Sequence, residues 1–250
     1  MVARDGTNAV CARVSVGGVY CGEPGYRHVL KGQPVARTTS KLRERVPLDA
    51  SSHAQRFERA ITTDQIAAVS TELGVSVESL RRLRIGWCQE HDAPAFPMWQ
   101  RGTICGIRIW KHGAKFCLLD SQNGFFIPRG FSSDLDVVYI VEGPTDTAAL
   151  LDMGLDAIGK PNVNACTNEL ISWLLEHRPG LAVFVGENDN PDARGVVAGI
   201  DKTKEQCSRA TAAGLSTAFV LPPRGKDVRE WKTRHGGTRD MLELLVRNAT

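Results

Sequence analysis

Three acidic motifs in the second half of this 250-residue chain combine residue types and spacing suited to chemistry at a phosphate. Glu142-Gly-Pro-Thr-Asp146 follows directly on the apolar run Val137-Val-Tyr-Ile-Val141. Gly186-Glu-Asn-Asp-Asn-Pro-Asp192 follows Leu181-Ala-Val-Phe-Val185, and Pro222-Pro-Arg-Gly-Lys-Asp227 follows Ser216-Thr-Ala-Phe-Val-Leu221. Continuous apolar runs read as strands buried on both faces. In open parallel sheets the working residues lie just beyond the carboxyl ends of the strands. Glu142, Asp146, Glu187, Asp189 and Asp227 are therefore brought to one edge of a sheet, where they repel one another unless a cation neutralises them. Mg²⁺ (or Mn²⁺) suits such a set, because a hard ion takes carboxylate oxygens and completes its shell with water and substrate phosphates. Bound there, one or two such ions would activate a 3′-hydroxyl and stabilise the phosphorus in transit. Glu142 is read as a ligand or a general acid/base, with Asp189 as its catalytic companion and Lys226 as a contact for nucleotide. Singly, each carboxylate also suits a helix cap or a turn; the argument rests on the set.

The elements that must position these residues follow from periodicity. Gly143 permits a sharp turn after the first strand, and Pro144 suits the first turn of a helix over 145–153. A strand near 157–158, a helix over 168–177, the second buried strand, a helix over 194–213 and a last strand alternate regularly. Helical segments then run to the C-terminus. Such alternation predicts right-handed βαβ units and an α/β fold, a parallel sheet flanked by helices, over 136–250. A small α+β basic subdomain is expected over 61–135. Thr62 or Thr63 caps its first helix, and Ser76 caps a second that runs down to Arg84-Ile-Gly-Trp87. Strand signals at 95–99, 103–110 and 115–119 are separated by Arg101-Gly102, His112-Gly113 and Asn123-Gly124. Arg108, Lys111 and Lys115 interrupt the apolar positions, so one face of these hairpins is expected to be cationic. Residues 36–60, with Arg37, Lys41, Arg43, Arg45, Arg56 and Arg59, read as a basic linker or an arm ordered on binding. Residues 1–35 are glycine-rich and contain Cys11, Cys21 and His28.

Charge is divided unevenly. Residues 1–135 hold 18 Lys/Arg against 12 Asp/Glu, and residues 136–250 hold 13 against 16, so a basic front half precedes an acidic back half. That division suits a polyanion held near a metal centre. No apolar run reaches the roughly 18 residues of a membrane span, and the first residues lack the apolar core of a secretory signal. A cytoplasmic protein with no membrane partner is expected. The seven cysteines form no disulfide framework, and the last five read as small buried hydrophobes. Gly225-Lys226-Asp227 lacks the glycine spacing and the Ser/Thr of a Walker loop, so no helicase motor is expected.

A strand ending in Glu-Gly-x-x-Asp, a later strand ending in an acidic-x-Asp pair, and then Lys-Asp together resemble the Toprim domain of bacterial and phage (DnaG-like) primases, topoisomerases and some nucleases. By that resemblance Glu142 falls on the family's first glutamate and Asp146 on the acid after it. Glu187 and Asp189 fall on the Asp-x-Asp pair, and Asp227 on the later acidic position. Glu187 departs from the family pattern, since its longer arm replaces an aspartate. Leu83-Arg84-Ile-Gly86, Phe96-Pro-Met, Gly106-Ile-Arg108, Lys115-Phe and Asn123-Gly-Phe-Phe-Ile-Pro128 resemble the basic subdomain that precedes Toprim in primases. The resemblance implies Arg84, Arg108 and Lys115 as phosphate contacts. The N-terminus resembles an incomplete primase zinc ribbon: Cys11, Cys21 and His28 are a partial ligand set without a Cys-x-x-Cys pair, so bound Zn²⁺ is not expected. What is implied is a primase that makes short RNA primers on single-stranded DNA from ribonucleoside triphosphates, with a separate replicative helicase as partner. A metal-dependent nuclease on the same fold and a non-catalytic nucleic-acid-binding replication protein remain the alternatives.

Overall fold

A computed structural model describes residues 8–11, 19–20, 26–29, 48–111, 113–131, 135–189 and 198–250. The chain divides into two units, Met1–Val46 and Pro47–Thr250. In the first, β1 (Asn8–Cys11), β2 (Val19–Tyr20) and β3 (Tyr26–Val29) form an antiparallel sheet in the order β1-β3-β2. Ala9 lies opposite His28 and Cys11 opposite Tyr26, which sets Cys11 and His28 two register positions apart. Cys21, the third member of the expected partial zinc set, lies outside the described residues.

The second unit begins with a correction to the sequence reading. The last eleven residues of the expected linker form a helix, α1 (Ala50–Ala60), capped by Asp49, whose Oδ1 accepts from the Ser52 N–H at 3.0 Å. Its Ala50, Ala54 and Phe57 repeat at helical spacing and are buried, the last two against Cys88, Ala93, Ala95, Ile107 and Ile109. An apolar stripe of two alanines and one phenylalanine is faint beside the arginines that surround it, and only tertiary packing reveals it. Helix α2 (Thr63–Leu73) starts in a capping box between Thr62 and Gln65 and stops at the left-handed Gly74. Helix α3 (Val77–Arg82) is capped by Ser76.

The chain then forms an antiparallel sheet of β4 (Gly86–Cys88), β5 (Ala93–Gln100), β6 (Thr103–Lys111) and β7 (Ala114–Cys117), in that order. The sequence reading runs its second helix on to Trp87. Instead Arg84 takes a φ of +56°, which turns the chain out of the helix and into β4. Gly86 is required where β4 crosses α1, because a Cβ there would lie 2.4 Å from the carbonyl carbon of Phe57.

The parallel sheet comprises β8 (Val137–Glu142), β9 (Ala157–Lys160), β10 (Leu181–Val185) and β11 (Thr217–Val220). The helices α4 (Gly143–Asp152), α5 (Thr167–His177) and α6 (Ala198–Ala212) connect them, and α7 (Val228–His235) and α8 (Arg239–Ala249) follow. The strand order is β11-β10-β8-β9, all pairs parallel. Alternate residues serve opposite faces: Tyr139, Val141, Val183 and Val185 pack with Leu150, Trp231, Leu242 and Val246, whereas Val138, Ile140, Ala182 and Phe184 pack with Leu170, Leu174 and Ala210. Helices α4, α7 and α8 thus cover one face and α5 and α6 the other, as the sequence alternation predicts. From β8 the chain steps outward to β9, then returns past β8 to β10, so the direction of winding reverses between β8 and β10. That reversal makes the crevice at their carboxyl ends the expected place for a ligand.

The two sheets are joined. Phe125 exchanges backbone hydrogen bonds with Trp99, and Phe126 does so with Gly159 on the outer strand β9. Helix α4 is buried along almost its whole length, with Ala148, Ala149 and Leu151 packed against Leu80, Phe96, Met98 and Phe126. Of the last five cysteines only Cys88 is fully buried; Cys105, Cys117, Cys166 and Cys207 are half-buried at core edges, and all five are free thiols. Among the described residues no helix is long and apolar enough to cross a membrane.

Candidate active site

Glu142 closes β8 and stands at the N-cap of α4, yet its side chain makes no capping hydrogen bond. Its carboxylate is therefore available at the strand tip rather than spent on the helix. Gly143 turns the chain with φ +79°, and a Cβ there would lie 3.5 Å from Nζ of Lys115. Lys115, on β7 of the antiparallel sheet, thus reaches the turn that presents Glu142.

One turn into α4, Asp146 is only 3% exposed and accepts a hydrogen bond from the Arg229 N–H at 3.0 Å. Burial pushes its carboxyl up to about 8, the nearby charges of Asp227 and Glu187 add to the rise, and the Arg229 N–H and Lys115 oppose it. Asp227 is the N-cap of α7, accepting from the Glu230 N–H at 2.7 Å, and lies 3.9 Å from the Arg229 guanidinium. Asp146 thus ties the start of α4 to the start of α7, while Asp227 caps α7 itself.

At the tip of β10, Glu187 is raised above the usual carboxylate range by burial and by the charge of Glu142, while Lys226 and Lys115 pull it back. The Lys226 ammonium lies 3.3 Å from Glu187 Oε2 and 3.3 Å from Asp189 Oδ1. Burial weakens that ammonium, but the two carboxylates outweigh it and hold its pKa above the usual lysine value. Between them, Asn188 is a fastener: its Nδ2 donates to the carbonyls of Pro222 (2.7 Å) and Gly225 (3.0 Å), and its backbone N–H donates to the Lys226 carbonyl at 2.6 Å. The loops after β10 and β11 are thereby locked together. Asp189 packs against the start of α6, where a Cβ on Gly199 would come within 2.7 Å of its Oδ2.

The structure accordingly gathers Glu142, Asp146, Glu187, Asp189, Asp227, Lys115 and Lys226 around one crevice. Two sequence candidates are engaged elsewhere. Arg84 donates to Glu58 Oε2 through Nε (3.1 Å) and Nη2 (2.9 Å), and its guanidinium lies 5.3 Å from the centre of the Trp99 ring. Arg108 donates to the Pro161 carbonyl at 2.5 Å and braces the loop that follows β9.

Sequence reasoning missed Lys160, at the tip of β9 in register with Glu142 and only 2% exposed. Its ammonium donates to Gln206 Oε1, and Gln206 in turn donates to the Val163 carbonyl and Thr167 Oγ1. Burial lowers its pKa to about 8, against the pull of Glu142 and Glu187. Ala157-Ile-Gly-Lys160 ends in a charged residue, as β8 does at Glu142; that was the available signal. Also missed was a cavity of about 790 Å³ lined by Arg84, Trp99, Arg129, Phe131, Trp173 and His177. Trp173 stacks on His177 with ring centres 4.0 Å apart, and Phe131 is tilted against Trp173 at 5.5 Å. Trp99 Nε1 is buried with no hydrogen-bond partner among the described residues.

Among the described residues, no group of three or more His, Cys, Asp or Glu side chains is arranged to hold a metal ion. Glu187 and Asp189 do converge, and the species they converge on is the Lys226 ammonium. Two partly exposed carboxylates fit Mg²⁺, which is commonly held by one or two carboxylates with water and substrate phosphates rather than by a closed protein cage.

No protein-family model matches the sequence, and no curated protein matches it. Solved structures do match. The DnaG catalytic core is 15% identical, with a TM-score of 0.59, over 80% of this chain and 78% of that one. The zinc-binding and RNA polymerase domains of the Aquifex aeolicus primase are 13% identical, with a TM-score of 0.61; the match covers 80% of this chain and 60% of that one. A chain from the bacteriophage T7 lagging-strand DNA polymerase complex, with primase domains of two gp4 subunits, an RNA/DNA hybrid and dTTP, is 14% identical at a TM-score of 0.54, over 72% and 90%. At such identities the likeness is one of fold: the chain has the architecture of a DnaG-type primase core.

Proposed function

We propose that this chain is the synthetic core of a primase, a DNA-directed RNA polymerase that makes short primers on single-stranded DNA, and that its parallel-sheet domain is a Toprim domain. The observation that carries the reading is the crevice at the β8–β10 switch point, where Glu142 and Glu187 meet beside Asp146 and Asp189. Burial raises the pKa values of Asp146 and Glu187 there, and the neighbouring charges of Asp227 and Glu187 on the first and of Glu142 on the second add to the rise. Buried like charges are costly, and they accumulate where a function requires them. The fold shared with primase cores supplies the reaction class as analogy.

In this reading Glu187 and Asp189, with Glu142, hold Mg²⁺ or Mn²⁺, and Asp146 and Asp227 lie behind them. The ion supplies charge stabilisation to the phosphoryl group being transferred. Glu142, uncommitted to capping, lies at the 3′-hydroxyl of the growing primer and is the acceptor for its proton. The hydroxyl oxygen bonds to the α-phosphorus of the incoming ribonucleoside triphosphate as the bond to the bridging oxygen breaks, and pyrophosphate leaves. Lys115 stands on the other wall of the crevice as a phosphate contact. The aromatic cavity of Trp99, Phe131 and Trp173, with Arg84 and Arg129 at its rim, suits stacking of template bases along a single strand. A separate replicative helicase is the partner that the reading requires.

Incorporation of labelled ribonucleotides on single-stranded DNA with Mg²⁺ or Mn²⁺ tests this. Glu142→Gln and Asp189→Asn are each expected to reduce short-product formation by on the order of 100-fold or more, with the fold retained. Template degradation lost in both variants would replace the primase with a nuclease. DNA binding without either activity would leave a non-catalytic module, a reading that Lys226 in the place of a cation favours.

A further inference from the structure

We infer that Lys226 is a built-in competitor of the divalent cation, occupying the space between Glu187 and Asp189 until an ion displaces it. The inference rests on the cation reading of the preceding section and deepens it. Lys226 places its ammonium 3.3 Å from one oxygen of each carboxylate, and among the described residues no other cation is ion-paired to either. These are the same two side chains that converge in the crevice, so ammonium and divalent ion cannot both be seated on them.

The backbone makes the arrangement reproducible. The Lys226 N–H donates to Glu230 Oε2 at 2.8 Å and its carbonyl accepts from the Asn188 N–H. Asn188 also holds the carbonyls of Pro222 and Gly225, so the residue between the two carboxylates fixes the loop that delivers the competing charge. The side chain itself is 55% exposed on a four-carbon stem. It is held in position at its base, and its ammonium is tied only by two ion pairs on a flexible, half-exposed stem, which is what a displaceable counter-ion needs. A double charge outbids a single one for the same oxygens, and the displaced ammonium remains within reach of any phosphate that the ion recruits.

Binding of Mn²⁺ to the full chain without nucleotide, followed by loss of the free-ion electron paramagnetic resonance signal, reads this directly. Lys226→Met is expected to bind Mn²⁺ about fivefold to tenfold more tightly than wild type, and Lys226→Arg to resemble wild type. Lys115→Met removes a cation of the same crevice that is not paired to Glu187 or Asp189, and its gain is expected to stay below about twofold. Equal affinity in Lys226→Met and wild type would overturn the inference while leaving the cation site intact. Equal gains in Lys226→Met and Lys115→Met would overturn it too, since general charge would then suffice. If no variant binds Mn²⁺, the cation reading itself fails and this inference falls with it.

Discussion

The crevice of the parallel sheet and the antiparallel half beside it treat charge in opposite ways. In the antiparallel half, the arginines Arg84, Arg108 and Arg129 are already engaged by protein, and Lys115 reaches toward the crevice. Glu58 takes both Arg84 and Arg129, at 2.9 Å each, and Arg108 is spent on a backbone carbonyl. At the tips of β8 and β10, carboxylates are packed against one another, two of them with pKa values driven up by burial and by mutual repulsion. Lysines compensate them only in part. A region whose charges are paired contributes mainly architecture; a region left short of positive charge is arranged for something that arrives with it. The arginines of the front half therefore marked the scaffold, and the acidic motifs, with Lys115 and Lys226, marked the site.

The seam between the two regions gives the largest expected effect. Gly159 joins β9 to Phe126, and a Cβ there would lie 2.4 Å from Thr147 Oγ1 and 2.6 Å from the Gly143 carbonyl oxygen. Gly159→Ala is expected to cost about 3 kcal/mol of stability in denaturant titration and to displace the turn that presents Glu142. A cost below about 0.5 kcal/mol would mean that the halves are joined more loosely than their hydrogen bonds imply.

Asp146 separates strain from scaffold. Its folded pKa of about 8 exceeds the value of 3.8 expected in the unfolded chain, so the native state holds the extra proton between those limits. In chelator, wild-type stability is therefore fullest below about pH 4 and declines as pH rises toward about 8. Asp146→Asn removes that decline and is expected to be more stable than wild type at pH 8 by about 2 kcal/mol, measured by thermal melts across the pH series. Identical pH profiles would show that the crevice is not strained.

Glu58 gives the smallest effect and the opposite sign. Glu58→Ala releases two partly exposed arginines and is expected to destabilise by about 1 kcal/mol, without changing Mn²⁺ affinity. A loss of metal affinity in that variant would blur the distinction between the two regions.

Much of this molecule is legible in the sequence because its signals are local. Val137–Glu142 and Leu181–Val185 are apolar at every buried position, and the caps Thr62 and Ser76 stand where a hydroxyl must satisfy free N–H groups. The carboxylates Glu142, Glu187 and Asp189 follow their strands directly, so strand identity was enough to place them at the carboxyl edge. Helix α1 was hidden, since three apolar residues among arginines declare a buried face only when β4 and β5 lie against it.

The sequence by itself determined which residues lie at the ends of which strands, because backbone geometry and burial on two faces are written in consecutive residues. Only the tertiary structure decided the strand order, and with it that β8 and β10 are neighbours, that Glu187 feels Glu142, and that Lys226 lies between Glu187 and Asp189. It also decided that Arg84 and Arg108 are engaged by Glu58 and Pro161. The physical reason is that charge–charge energies depend on separations of a few ångströms between groups dozens of residues apart. Those separations are fixed by packing rather than by spacing along the chain.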